Sequence, residues 1–253
     1  MIIKAKPTMT GCYLQDKEGS TIAKLSFNLQ PIVNNKNCKT VSFECLSKLE
    51  FQDEKKLSNE EFFGRSCVEL IKGICITQIE YFNEFQYSDD VMISYNMPLS
   101  ALLDDVYVDT LTKICRNSSA IEITSFDIEK LTSGVLYHLL ENIHRLKSRG
   151  IMLWLDDFVH TDITHQRWLH LLEWDSIKLD KSYLLESECQ ERVTNLIESL
   201  SDHCSNIIVE GVETQDHYYH LSDKSVLLQG YFVSPPKPCS CFKEFEASFE
   251  LES

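Results

Sequence analysis

The chain has 253 residues, with 24 Lys and Arg against 39 Asp and Glu, a formal net charge of −15. That length suits one large domain or two small ones. A balance this acidic argues against binding duplex nucleic acid or an anionic membrane through bulk charge, because both need a basic face.

No run of 18 apolar residues is present, so no transmembrane helix is expected. The start, Met1-Ile-Ile-Lys-Ala-Lys-Pro7, turns polar too quickly for a signal peptide. The ten cysteines lack any C-x-x-C spacing and many sit in apolar settings, as Cys45 and Cys75 do. They read as buried free thiols of a reducing cytoplasm. Cys239-Ser-Cys241 is the lesser alternative, a metal or redox pair.

In chain order, short β-branched runs predict buried strands at Leu29–Val33, Thr40–Phe43, Val91–Tyr95 and Ala120–Thr124. Four more follow at Ile151–Leu155, Ser176–Leu179, Asn206–Val209 and Val226–Leu228. Helical patterns lie between most of them. Ser58 and Glu61 form a capping box for one long helix to about Phe85. Leu131 to Lys147 carries apolar residues at three- and four-residue spacing, and Gly150 marks its end. Gln190 to Cys204 reads as another helix. About eight strands alternating with helices predict a closed (β/α) barrel, with an open doubly wound sheet as competitor. No Gly-x-Gly-x-x-Gly follows a strand, which weakens the open sheet.

Polar residues fall at the strand ends, where a barrel builds its site. They are Glu44, Asn96, Glu122, Asp156, Asp157, Lys178, Asp180, Glu210, Glu213 and Gln229. Each has an ordinary explanation alone: a helix cap, a solvated loop residue, a turn at Asn96, or a structural partner in Lys178. Jointly, carboxylates on successive apolar strands need pairing or metal. An all-oxygen set suits Mg²⁺ or Mn²⁺ rather than Zn²⁺. Two such ions form a phosphodiester-cleaving device.

Gln30-Pro-Ile-Val33, Glu44-Cys-Leu46, Ser94-Tyr-Asn96, Glu122-Ile-Thr124, Asp156-Asp-Phe158, Ile177-Lys-Leu-Asp180, Glu210-Gly-Val-Glu213 and Gln229-Gly-Tyr231 occur in that order. This series resembles the motifs of EAL domains, bacterial enzymes that hydrolyse cyclic di-GMP to linear pGpG. The resemblance runs from about Phe27 to Pro238. It implies a modified (β/α)8 barrel, of α/β class, with one strand antiparallel. The expected division is an N-terminal extension over 1–25, a barrel over 26–240 and a tail over 241–253.

By the same resemblance, Glu44, Asn96, Glu122, Asp156, Asp157 and Glu210 would hold two Mg²⁺ or Mn²⁺ ions. Lys178, its pKa lowered beside two dications, would orient or deprotonate the attacking water. Glu44 and Gln229 complete the catalytic set. Gln30, Leu46, Lys48, Asp180 and Glu213 would handle the nucleotide. A homodimer near the loop after Asp157 is a further family trait, and a protein partner is the alternative role.

The departures are specific. Lys48 stands for the family's arginine and lacks its bidentate fork. Ser125 replaces a glutamate that braces the loop after the paired aspartates, a lost support. That loop, Asp156-Asp-Phe-Val-His-Thr-Asp162, has lost both glycines, with Val159 at the first. Pro235 replaces a common arginine. His160 and His165 read as surface residues or, less simply, as added ligands. The expected function is a cyclic di-GMP phosphodiesterase of reduced rate. The alternative is an EAL protein that binds nucleotide or partner without catalysis.

Overall fold

Among the described residues eleven strands form one sheet, and eight of them close on themselves. The structure, a computed structural model, describes residues 4–8, 11–51, 57–84, 91–124, 131–185 and 190–239. Ser125 and Cys241 therefore lie outside the described residues, as does the 241–253 tail.

The barrel strands are β3 (Thr21–Asn34), β4 (Thr40–Phe51), β5 (Met92–Pro98) and β6 (Ser119–Thr124). They continue as β7 (Met152–Phe158), β8 (Ser176–Leu179), β9 (Asn206–Val209) and β10 (Leu227–Leu228). From β4 to β10 every neighbouring pair is parallel. β3 runs antiparallel to both β4 and β10 and closes the ring. The competing open sheet is thereby excluded, and the one strand of the barrel ring that runs antiparallel is β3.

Side chains alternate in and out along each strand, so the barrel fills in layers. The floor is apolar: Ile32, Ala120, Trp154 and Ile208, with Met92, Met152 and Leu227 against them. Two residues further along the parallel strands stand Glu122, Asp156, Glu210 and Gln229. On β3 the corresponding residue is two earlier, Gln30, because that strand runs the other way. One period-2 rule thus places all of these at the same mouth.

Helices cover the outside. Ser58 caps α1 (Asn59–Arg65) with the reciprocal bonds of a capping box. The expected long helix is in fact two, α1 and α2 (Val68–Glu84). The break has a local cause: Ser66 takes extended angles, and its hydroxyl bonds back to the Phe62 carbonyl. Next come α3 (Asp105–Ile114) and α4 (Ser133–Lys147), the latter capped by Thr132. The remaining helices are α5 (Ile163–Leu171), α6 (Ser182–Leu185), α7 (Gln190–Leu200) and α8 (Gln215–Leu221).

The first 25 residues form β1 (Lys4–Thr8), β2 (Gly11–Gln15) and the start of β3. β2 pairs with the first half of β3, whose other side carries the second half of β4. Cys12 and Leu14 of β2 are wholly buried. A last short strand, β11 (Lys237–Pro238), pairs with β3.

Candidate functional site

Lys178 lies at the centre of the barrel mouth, 1% exposed. Its Nζ is 2.7 Å from Glu210, 2.8 Å from Glu122, and 3.1 Å from both Glu44 and Asp156. Burial pushes its pKa down, but the four carboxylates outweigh burial and hold it well above the ordinary lysine value. Among the protein's own groups Lys178 is therefore an ammonium. The lowered value expected from the sequence depends on dications.

Glu44 is the best-tied carboxylate. Oε1 accepts from Asn96 Nδ2 at 2.6 Å, and Oε2 accepts from Gln229 Nε2 at 2.5 Å. Burial raises its pKa, yet Lys178 and these bonds hold it below the usual carboxylate range. Glu122 goes the other way. Burial, then the Glu44 charge, push it well above that range. Burial also dominates at Glu210, pushed up to about 8, and at Asp157, pushed up to about 6 with help from Asp156.

Asp156, Asp157 and Glu210 offer oxygens within 4.8 Å of one another. Asp156 Oδ1 is buried and, although 3.1 Å from Lys178, has no hydrogen bond. Its one near partner is the Lys178 ammonium, which leaves lone pairs of this oxygen open to a further donor or a cation. Five carboxylates against one ammonium leave four formal negative charges, which two divalent cations would cancel. All the donors are oxygens, so the set fits hard cations. Asp157 adopts φ +50, an uncommon angle for a residue with a side chain.

Of the nucleotide-handling candidates, Gln30 and Leu46 adjoin the centre. Gln30 is buried, accepts from Gln229 at 3.2 Å and donates to the Ser234 carbonyl at 3.2 Å. Leu46 lines a cavity of about 440 Å³ together with Asn96, Glu122, Phe63, Met97 and Pro98. Lys48 is not brought to that cavity. It is exposed and pairs with Glu50 at 3.3 Å. Asp180 caps the Ser182 N–H at 2.9 Å and sits close enough to raise the Asp157 pKa. Glu213 is exposed.

Sequence reasoning gave Ser94 no role. It is fully buried, and its hydroxyl donates to Glu122 Oε1. Its place two residues before Asn96, on the inward face, was the available signal. His165 corrects the surface reading. It is buried, with Nδ1 accepting the Val159 N–H at 2.8 Å and its ring stacked on Phe158. His160 is exposed, and neither histidine joins the carboxylates. The described cysteines are free, but only Cys12, Cys45, Cys75 and Cys239 are buried, and Cys67 is exposed.

Comparison with known proteins agrees with the barrel fold. The cyclic di-GMP phosphodiesterase NbdA of Pseudomonas aeruginosa is 22% identical over 62% of this chain and 20% of its own length. The probable cyclic di-GMP phosphodiesterase PdeD of Escherichia coli is 24% identical over 89% of this chain and 44% of its own. The chain thus spans between a fifth and under half the length of these relatives. An EAL domain protein of Listeria monocytogenes superposes with a TM-score of 0.67 at 24% identity, over 86% of this chain and 90% of that one. The FimX EAL domain of Pseudomonas aeruginosa bound to cyclic di-GMP gives 0.67 at 18% identity, over 84% and 90%. These likenesses carry the fold. A sequence model of the EAL domain matches residues 18–236, from the arm of β3 through the barrel to the turn after β10, and so the chain belongs to the EAL domain family.

Proposed function

We propose that this chain is a metal-dependent phosphodiesterase that hydrolyses cyclic di-GMP to linear pGpG. The observation that carries the proposal is the cluster at the barrel mouth: Glu44, Glu122, Asp156 and Glu210 around the buried Lys178, with Asp157 at its solvent edge. The named phosphodiesterases among its relatives support the same substrate. Glu44, Asn96, Glu122, Asp156, Asp157 and Glu210 are the residues to hold two Mg²⁺ or Mn²⁺ ions. Such ions polarise a phosphodiester and lower the pKa of a water.

The chain's own groups do the rest. Asn96 donates through Nδ2, which leaves its carbonyl oxygen for a cation. Gln229 fixes Glu44 from the other side, and Gln30 fixes Gln229. Lys178 Nζ is the group to orient the attacking water and take its proton, once its carboxylates are shared with cations. Leu46, Phe63, Met97 and Pro98 offer an apolar wall for a base beside the layer. Free thiols support a reducing, cytoplasmic setting. No described helix is long and apolar enough to cross a membrane.

Incubation with cyclic di-GMP and Mn²⁺ should yield pGpG. Glu44→Ala and Lys178→Ala should each lower the rate by about 10²-fold or more. No turnover at saturating metal would sink the proposal. A second reading, binding of nucleotide or a protein partner without catalysis, draws on Lys48, which is tied to Glu50 rather than facing the cavity. Nucleotide binding by calorimetry, with no turnover, would select it.

A further inference from the structure

Asp157 stands at φ +50 in β7, one residue before its end, and offers an oxygen to the Asp156 and Glu210 cluster. A residue with a side chain stays at such an angle only where its surroundings over-determine it. The family motif would use glycines in the next residues, and this chain has Val159 and Thr161 there. Something else must hold the segment.

The holding groups come from α5 and α6. Val159 N–H donates to His165 Nδ1 at 2.8 Å. That contact is shorter than the 3.3 Å from Nδ1 to the Val159 carbonyl, which assigns Nδ1 as the acceptor. The same imidazole stacks on Phe158, ring centroids 5.8 Å apart and planes 29° apart. Both residues after Asp157 are therefore pinned to one side chain, itself 7% exposed. His160 N–H donates to the Tyr183 hydroxyl at 2.6 Å, and the His160 carbonyl accepts from Gln166 Nε2 at 2.9 Å. His165 is fixed in turn at the start of α5, where its N–H donates to the capping Asp162.

We propose that His165 is a positioning residue that holds Asp157 in its cation-binding conformation by accepting the Val159 N–H. It acts through the loop and touches neither substrate nor cation. This rests on the metal-dependent reading above. It gives the chain its own brace, built from α5, where the loop lacks glycine. Removing an outer partner of a ligating carboxylate lowers metal affinity by about 10- to 100-fold.

The test is Mn²⁺ binding without nucleotide, followed by calorimetry and by the Mn²⁺ paramagnetic resonance signal, with melting temperature measured in chelator. His165→Phe keeps a ring against Phe158 and loses the acceptor. It should bind Mn²⁺ about tenfold or more weakly. His165→Asn loses the ring and keeps an acceptor oxygen near the place of Nδ1, so it should bind close to wild type. Unchanged binding by His165→Phe, or equal loss in both variants, overturns the proposal. If His165→Phe does not fold, His165→Leu removes the same acceptor with a smaller side chain and reads the same bond. Weaker Mn²⁺ binding then supports the proposal, and wild-type affinity overturns it. Wild-type protein that takes up no Mn²⁺ overturns the metal-dependent reading as well. Wild-type uptake with unaltered variants overturns this proposal alone.

Discussion

At the scale of single residues, the centre is a set of carboxylates with opposed proton affinities. Glu44 is held ionised by Lys178, Asn96 and Gln229. Glu210 and Asp157 are pushed up to about 8 and about 6, chiefly by burial. A carboxyl whose pKa rises on folding binds its proton more tightly in the folded state. Its contribution to stability is full below its unfolded value, near 4, and is lost as pH rises through 6 and then 8. Glu44 has the opposite sign, but its loss falls below pH 4.5, outside that window. We therefore expect the melting temperature in chelator to fall between pH 5 and about 8.5. Cations must displace the protons of Asp157 and Glu210, so Mn²⁺ affinity should rise about tenfold or more from pH 6 to 8. A pH-independent affinity over that range would contradict the assignment of these two ligands. The identity of the carboxylates was legible in the sequence because each interrupts an apolar strand. Their mutual order around Lys178 was not, since it depends on barrel stagger. The role of His165 was also hidden, because a histidine on a helix carries no local mark of its partner.

At the scale of elements, two glycines set how closely the last strand ends approach. Gly211, in Glu210-Gly-Val-Glu213, has φ +70, and a Cβ there would lie 2.4 Å from the Lys181 Cβ. At Gly230, after Gln229, a Cβ would lie 2.3 Å from the Val212 carbonyl oxygen. Main-chain bonds join these same turns, Val212 N–H to Gln229 and Phe232 N–H to Val212. Gly211→Ala and Gly230→Ala should each destabilise by about 2 kcal/mol or more, through strain and overpacking. Gly73, inside α2 with open space at its Cβ, gives the opposite expectation. Gly73→Ala should stabilise by about 0.5–1 kcal/mol. Urea midpoints at unchanged m-value would read all three. The parallel strands were legible because burial on both faces leaves continuous apolar runs. The arm of β3 carried a different signal, Ala23, Leu25, Phe27 and Leu29 alternating with polar or half-exposed residues, and a search for continuous runs passes over it. The split between α1 and α2 was not legible, because the apolar spacing continues across Ser66.

At the scale of the whole molecule, charge and fold pull the proposed substrate in opposite directions. The barrel mouth, once two dications offset its four excess negative charges, is close to neutral. The formal −15 of the chain thus belongs mostly to the rest of the surface. An anionic dinucleotide approaching from solution meets a repulsive field before it meets the site. The reach of that field depends on salt: the Debye length is about 30 Å at 0.01 M and about 8 Å at 0.15 M. At low salt the field extends over the whole barrel end, and at physiological salt only over neighbouring side chains. Lys48 does little to reverse it locally, because Glu50 already pairs with its ammonium. With metal saturating at every point, kcat/KM for cyclic di-GMP should therefore rise about two- to threefold between 0.01 and 0.15 M salt, through faster association, with kcat unchanged. A basic nucleotide-binding face would give the reverse slope. A fall in kcat/KM with salt would show that local cations, not the acidic surface, govern the approach of substrate.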